Sequence, residues 1–240
     1  MADSLAELVH DLLVGRVAGS AARPVLVHRD EALGSRVELS AISLANTVAK
    51  ASSLFSSAKP GGGVRLGVPT HWLVGALALG AWHAGHEVVV SDQPAPATSV
   101  AVVGPDAGAS GLAEQTYISR LHPLGLPFDD EPSWPLADLA PALREGPDEL
   151  PPPAAPSADP EARQRENALV AAARTWTAAL GARPVLLSAH PAHRTRGLLA
   201  ITLVPLLDDG STVLVTGTAD PGRLAELAAE ERATVVWAPN

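Results

Sequence analysis

Residues 59–90 read KPGGGVRLGVPTHWLVGALALGAWHAGHEVVV, and this stretch decides the fold class. Val64–Val68 is a short apolar run broken only by Arg65, and Glu87–Val90 is a second one rich in valine. Between them Trp72–Ala84 is apolar on every side, with Thr70 placed to cap it and Gly85 placed to end it. A strand, a helix and a strand in immediate succession form a βαβ unit, whose crossover makes the two strands parallel. Strands of this composition belong to a sheet covered on both faces.

On the N-terminal side, Ser4-x-x-Glu7 has the spacing of a capping box. Leu5, Leu8, Val9, Leu12 and Leu13 follow at helical intervals, so the first segment is a helix that docks as a cover. Val25–Val27 is a strand, and Ser40 opens a second helix with Ala41, Leu44, Ala45, Val48 and Phe55 on one face. Lys59-Pro-Gly-Gly-Gly stops it. On the C-terminal side, Ser99–Val103 supplies another strand before Gly104-Pro105-Asp106 turns out of it. Half of the 22 prolines then fall between Pro123 and Pro160, and 127–160 is read as an irregular, partly mobile connection. Order returns with a helix over Glu161–Leu180, a strand over Pro184–Ser188, a helix over Gly197–Leu207 and a strand over Thr212–Val215. Asp220 caps the next helix, with Leu224, Leu227 and Ala228 facing inward, and Thr234–Trp237 is the last strand. The expected organisation is a first α/β half over 1–126, the connection over 127–160 and a second α/β half over 161–240, together one composite domain.

Composition narrows the function. With 240 residues, 47% of them apolar, and a mean hydropathy of +0.16, the chain can bury a sizeable core. Seventeen basic residues against 26 acidic ones give a net charge of −9, which leaves a nucleic-acid binder no basic face to work with. There are no cysteines, so disulfides, thiolate metal sites and a cysteine nucleophile are excluded. The N-terminus carries acid where a signal peptide needs base, and Trp72–Trp82 is too short to span a bilayer. No membrane partner is expected, and the expected compartment is the cytoplasm.

The motifs are mostly structural. Gly61-x-Gly63 precedes a strand and so cannot cradle a phosphate on a helix N-terminus. Thr216-Gly217-x-x-x-x-Gly222 sits between a strand and a helix, but it is one residue too long for a dinucleotide turn. His83-x-x-His86 and His190-x-x-His193 lack carboxylates at matching spacing, so no metal site is assigned. Gly108-Ala-Ser110-Gly is out of frame for a nucleophile elbow. The densest polar constellation is Ser188-Ala-His190-Pro-Ala-His193-Arg194-Thr195-Arg196-Gly197. It follows a strand and precedes an apolar helix, which is where α/β folds place their sites. Candidate ligand-binding residues are His190, His193, Arg194, Arg196 and Trp237.

Two passages carry a family resemblance. Val37-Glu-Leu-Ser-Ala-Ile-Ser-Leu-Ala-Asn, Gly63-Val-Arg-Leu-Gly-Val-Pro and Leu79-Gly-Ala-Trp-His-Ala-Gly-His-Glu-Val-Val-Val-Ser-Asp form the first. Val185 through Ala200, Pro205-Leu-Leu-Asp-Asp-Gly-Ser-Thr-Val-Leu-Val and Glu231-Arg-Ala-Thr-Val-Val form the second. In order and spacing these resemble the N-terminal domain of the adenylate-forming superfamily of acyl-CoA synthetases, non-ribosomal peptide adenylation domains and luciferases. The resemblance implies layered, mostly parallel sheets flanked by helices. It also implies a Thr/Ser/Gly-rich phosphate loop ending in Pro-Lys, where this chain has Pro-Pro-Pro-Ala-Ala-Pro-Ser-Ala-Asp-Pro. No lysine follows Lys59, and the sequence stops at Asn240, before the family's ribose-binding aspartate and catalytic lysine. No catalytic residue of the family transfers to a position here.

The expectation is therefore a shortened, degenerate relative without catalysis of its own, acting as a binding or interaction module and needing no cofactor. Its expected partners are a second copy or another protein, or a small carboxylate in a retained acyl pocket. The alternative is a minimal or split ligase that activates a carboxylic acid with ATP and Mg, completed by a second subunit.

Overall fold

The computed structural model describes residues 4–59, 62–91, 98–106, 113–133, 135–217 and 220–238. In chain order the elements are α1 (Leu5–Ser20), β1 (Pro24–Asp30), β2 (Ser35–Ser40), α2 (Ala41–Ser56), β3 (Gly63–Gly67), α3 (Trp72–His83), β4 (Glu87–Val90), β5 (Thr98–Val103) and β6 (Gln115–Ile118). They continue with β7 (Leu136–Asp138), α4 (Leu139–Arg144), α5 (Pro160–Leu180), β8 (Val185–Ser188), α6 (Thr195–Ala200), α7 (Val204–Leu207), β9 (Ser211–Thr216), α8 (Pro221–Glu230) and β10 (Val235–Trp237).

Two five-stranded sheets form. One has the order β10-β8-β9-β1-β2 and is parallel except for the β1–β2 hairpin; the other, β4-β3-β5-β6-β7, is parallel throughout. The first 40 residues thus share a sheet with the last 60 or so. All twelve residues of α3 are buried, because a helix that is apolar all round has no face to give to water. It lies between the sheets, touching β1 of one and β3 and β4 of the other, with α1 and α2 beside it. Leu26, Leu186 and Leu214 of the mixed sheet and Val64, Leu66 and Val102 of the parallel sheet meet in this common core. A second cluster, Val27, Leu187, Val213, Val215, Leu224 and Leu227, packs α8 on the far face of the mixed sheet.

The helix starts follow the sequence rules. Ser4, Ser40, Asp159 and Asp220 each accept a backbone N–H of the first turn, at 3.2, 3.2, 3.0 and 2.9 Å. Three expectations are corrected, and one strand is added that the sequence did not indicate. Thr70 does not cap α3; the cap is His71, whose Nδ1 accepts from Leu73 N at 3.3 Å. The added strand is β2, where alternating burial pairs Ser35–Ser40 with β1 ahead of the Ser40 cap of α2. The helix expected over Gly197–Leu207 is two, α6 and α7. Pro205 has no N–H to donate to Ile201 O, and tighter bonds from Ile201 N to Leu198 O and Thr202 N to Leu199 O close α6 first. Finally, 127–160 is not irregular throughout: β7 and α4 lie inside it, and Ala154 N donates to His83 O at 3.0 Å. Pro60 and Gly61, Gly108-Ala-Ser110-Gly, and Pro239 with Asn240 lie outside the described residues. No helix among the described residues is long and apolar enough to cross a membrane.

Candidate functional site

The loops after β3 and β8 meet at the junction of the two sheets. Thr70 Oγ1 accepts a hydrogen bond from Ala192 N at 2.9 Å, which ties the β8–α6 loop to the parallel sheet. Within that loop Arg194 N donates to Pro191 O at 3.1 Å and Leu198 N donates to Arg194 O at 2.9 Å. The turn folds back so closely that a Cβ on Gly197 would stand 2.1 Å from Pro191 O. Glycine is therefore the residue that lets His193, Arg194 and Thr195 be carried at a fixed place above a buried helix.

Those three residues line a cleft of about 450 Å³, within the usual range for small-molecule sites. One wall is β4, the outermost strand of the parallel sheet; the other is the first half of α5, with Ala162, Arg165, Glu166 and Leu169. The second half of α5 is held against the core by Ala173 and Thr177, so the helix overhangs β4. Leu5, Trp82, Ala192 and Leu198 add apolar lining, and Ser157 and Asp159 close one side.

Charge is distributed unevenly along the cleft. Arg165 Nε lies 2.8 Å from Glu87 Oε1, with Asp159 and Glu161 at 3.9 and 3.8 Å, so this guanidinium is already committed. These pairs are exposed and contribute little to stability. The Arg194 and His193 side chains are exposed and make no hydrogen bond or ion pair among the described residues. Among the described residues Arg194 is thus an uncommitted cation on a cavity of mixed polar and apolar lining, in a chain of net charge −9.

The remaining sequence candidates lie elsewhere. The His190 ring stacks on Trp237 with centroids 3.3 Å apart and planes 20° from parallel, and Trp176 meets the same indole edge-on at 5.0 Å. Burial pushes the His190 imidazole below its ordinary range; the Ala238 backbone opposes this and the nearby Arg196 charge adds to it. His190 Nε2 is buried without a hydrogen-bond partner. Arg196 is exposed and does not line the cleft. The two spaced histidine pairs are used separately. His83 Nδ1 meets Ser52 Oγ at 2.8 Å and its Nε2 meets His10 Nδ1 at 3.1 Å, whereas His86 reaches the carbonyl oxygens of Gly62 and Phe55 at 2.8 and 2.9 Å. No group of three or more His, Asp or Glu among the described residues is placed to hold a metal ion. Sequence reading missed β4, Arg165 and Asp159 as cleft walls, because no local pattern says which strand is outermost or where a distant helix lands.

Comparison with known proteins now adds a family. The chain is 30% identical over 226 residues to a TIGR03089 family protein of Mycobacterium tuberculosis, covering 89% of this chain and 90% of that protein. It belongs to the TIGR03089 family. No protein-family model matches it. Among solved structures, a Brucella canis acyl-CoA synthetase superposes with a TM-score of 0.74 at 16% identity, over 96% of this chain and 47% of that one. The N-terminal domain of FACL13 from Mycobacterium tuberculosis gives 0.70 at 15% identity, over 98% and 62%. Apo MatB from Rhodopseudomonas palustris gives 0.69 at 16% identity, over 97% and 49%. The TIGR03089 chain therefore has the fold seen in these structures, of which it spans about half to three-fifths.

Proposed function

We propose that this chain is a non-catalytic binding module on an adenylate-forming N-terminal fold, and that its cleft takes a small carboxylate. The observation that carries the reading is the uncommitted Arg194 guanidinium, with His193 beside it, on the wall of a cavity whose lining is mixed polar and apolar. A guanidinium presents a planar fork of donors that matches a carboxylate, and such charge-assisted bonds are stronger than neutral ones. Leu169, Leu198, Val88 and Val90 supply contact for an apolar body.

The superfamily resemblance raises Mg-ATP as a ligand, and the residues at the cleft do not fit a triphosphate. Asp159 already accepts the first-turn N–H of α5, Glu87 and Glu166 add two more carboxylates, and Arg165 is engaged by Glu87. One free guanidinium cannot offset a polyanion placed among three carboxylates.

Isothermal titration of the purified chain with butyrate, hexanoate and benzoate, and separately with Mg-ATP and AMP, tests this. The expected result is saturable carboxylate binding that Arg194→Ala weakens about 10- to 100-fold, the value of one charged hydrogen bond. The variant's Tm should not change, since the side chain is exposed and unpaired. Saturable Mg-ATP binding with no carboxylate binding would overturn the reading in favour of a split ligase.

A further inference from the structure

The carboxylate reading leaves open what body the carboxylate is attached to, and the wall opposite α5 bears on this. Among the described residues β4 pairs with β3 alone and is the edge strand of its sheet. Successive strand residues turn their N–H and C=O groups to opposite sides. Ser91 N donates to Leu66 O of β3 at 3.2 Å, and that parity assigns Glu87 and Val89 to β3. Val88 and Val90 therefore turn their N–H and C=O groups to the other side, where no hydrogen bond to them is found among the described residues. Natural edges are blunted by charge, proline, a bulge, shortness or a covering helix; β4 is short and opens on Glu87, but Val88–Val90 carry no charge, proline or bulge. Instead α5 and β4 line the two sides of the cleft, bridged at Glu87 by Arg165, and Val88–Val90 lie beyond that bridge.

A purely aliphatic acid in this cleft would dehydrate the Val88 and Val90 main-chain groups without pairing them, which is costly. A peptide backbone would pair them. We propose that the ligand is the C-terminal end of an extended peptide, added as a strand to β4, with its terminal carboxylate on Arg194. Four extended residues span about 13 Å, the length of β4. Strand addition and carboxylate capture are both established modes of peptide recognition. Ala162, Leu169 and Leu198 in the lining offer apolar contact to the side chains of such a strand. This inference rests on the carboxylate reading and adds the chemical class of the ligand.

Fluorescence anisotropy with an N-terminally fluorescein-labelled Leu-Val-Leu-Val free acid tests it, with hexanoate as competitor. The expected result is hexanoate-displaceable binding, at least tenfold tighter than hexanoate itself, and at least tenfold weaker for the C-terminal amide. N-methylation of one alternate pair of amides should cost at least tenfold, while methylation of the other pair changes affinity less than twofold. Arg194→Ala should abolish the acid-versus-amide difference and keep the alternation. Binding no tighter than hexanoate, or no alternation, would overturn the peptide inference and leave the carboxylate reading standing. Binding of neither hexanoate nor the peptide would overturn both.

Discussion

Three histidines buried in the core make the fold acid-sensitive in a way that can be calculated. His28, His71 and His83 are 2%, 6% and 0% exposed, and burial lowers their imidazoles from 6.5 to about 4, about 3 and about 4. Geometry adds to this for two of them. His71 Nδ1 must stay unprotonated to accept from Leu73 N, and the His28 and His71 rings are 4.8 Å apart, so charging one opposes charging the other. Because the folded values lie below the unfolded one, protons bind preferentially to the unfolded chain. The stability is complete above about pH 6.5 and is lost as pH falls towards the folded values. At pH 5 each group costs about 2 kcal/mol, together about 6 kcal/mol, against a typical domain stability of about 5–15 kcal/mol. At about 2–4 °C per kcal/mol for a chain of this size, Tm should fall roughly 12–24 °C between pH 7.5 and pH 5. Differential scanning fluorimetry across that range, in one buffer ionic strength, measures this. His71→Asn keeps a capping acceptor and removes one titrating group, so it should shrink the fall by about a third. A wild-type fall of under about 5 °C, or an unchanged fall in His71→Asn, would refute the assignment of these imidazoles as buried and neutral.

Other positions give independent checks. Gly75→Ala puts a Cβ 2.5 Å from the Ile201 carbonyl oxygen, so despite the gain in helix propensity it should lower stability by about 1–3 kcal/mol in chemical denaturation, and an unchanged midpoint would argue against this packing. Thr70→Val leaves Ala192 N without its acceptor and unpins the loop that carries Arg194. It should cost about 1–3 kcal/mol and weaken carboxylate binding as well, and a variant that loses neither would show that the two sheets are not joined at this contact. Asp220→Ala removes the cap of α8 and should cost about 1 kcal/mol with binding untouched, since α8 lies on the far face of the mixed sheet.

The legible parts of this chain were those where local chemistry and tertiary need agree. The all-apolar run of α3, the serine and aspartate caps of α1, α2 and α8, and the valine-rich β4 and β5 all follow directly from residue order. The short pieces were not legible. β2 was hidden because Val37–Ser40 runs straight into a helix with the same apolar character, and its strand state depends on β1 lying alongside. β7 and α4 sit among prolines, and only pairing to β6 and the Asp138 cap, 3.0 Å from Ala140 N, make them regular. The split of α6 from α7 was readable in principle from Pro205. At the site, the polar loop after β8 stood out by its density of histidine and arginine, and it holds His193 and Arg194. The cleft itself is a product of sheet order and the landing place of α5, neither of which has a local signature.

Whether the Arg194 guanidinium receives a carboxylate is reported directly by the side-chain Nε–H resonances of ¹⁵N-arginine-labelled protein. Titration with hexanoate should give a saturable shift of the Arg194 resonance, identified by its absence in Arg194→Lys, while Arg196 stays in place. A stationary Arg194 signal under hexanoate, with arginine signals that move instead on addition of Mg-ATP, would contradict the carboxylate reading.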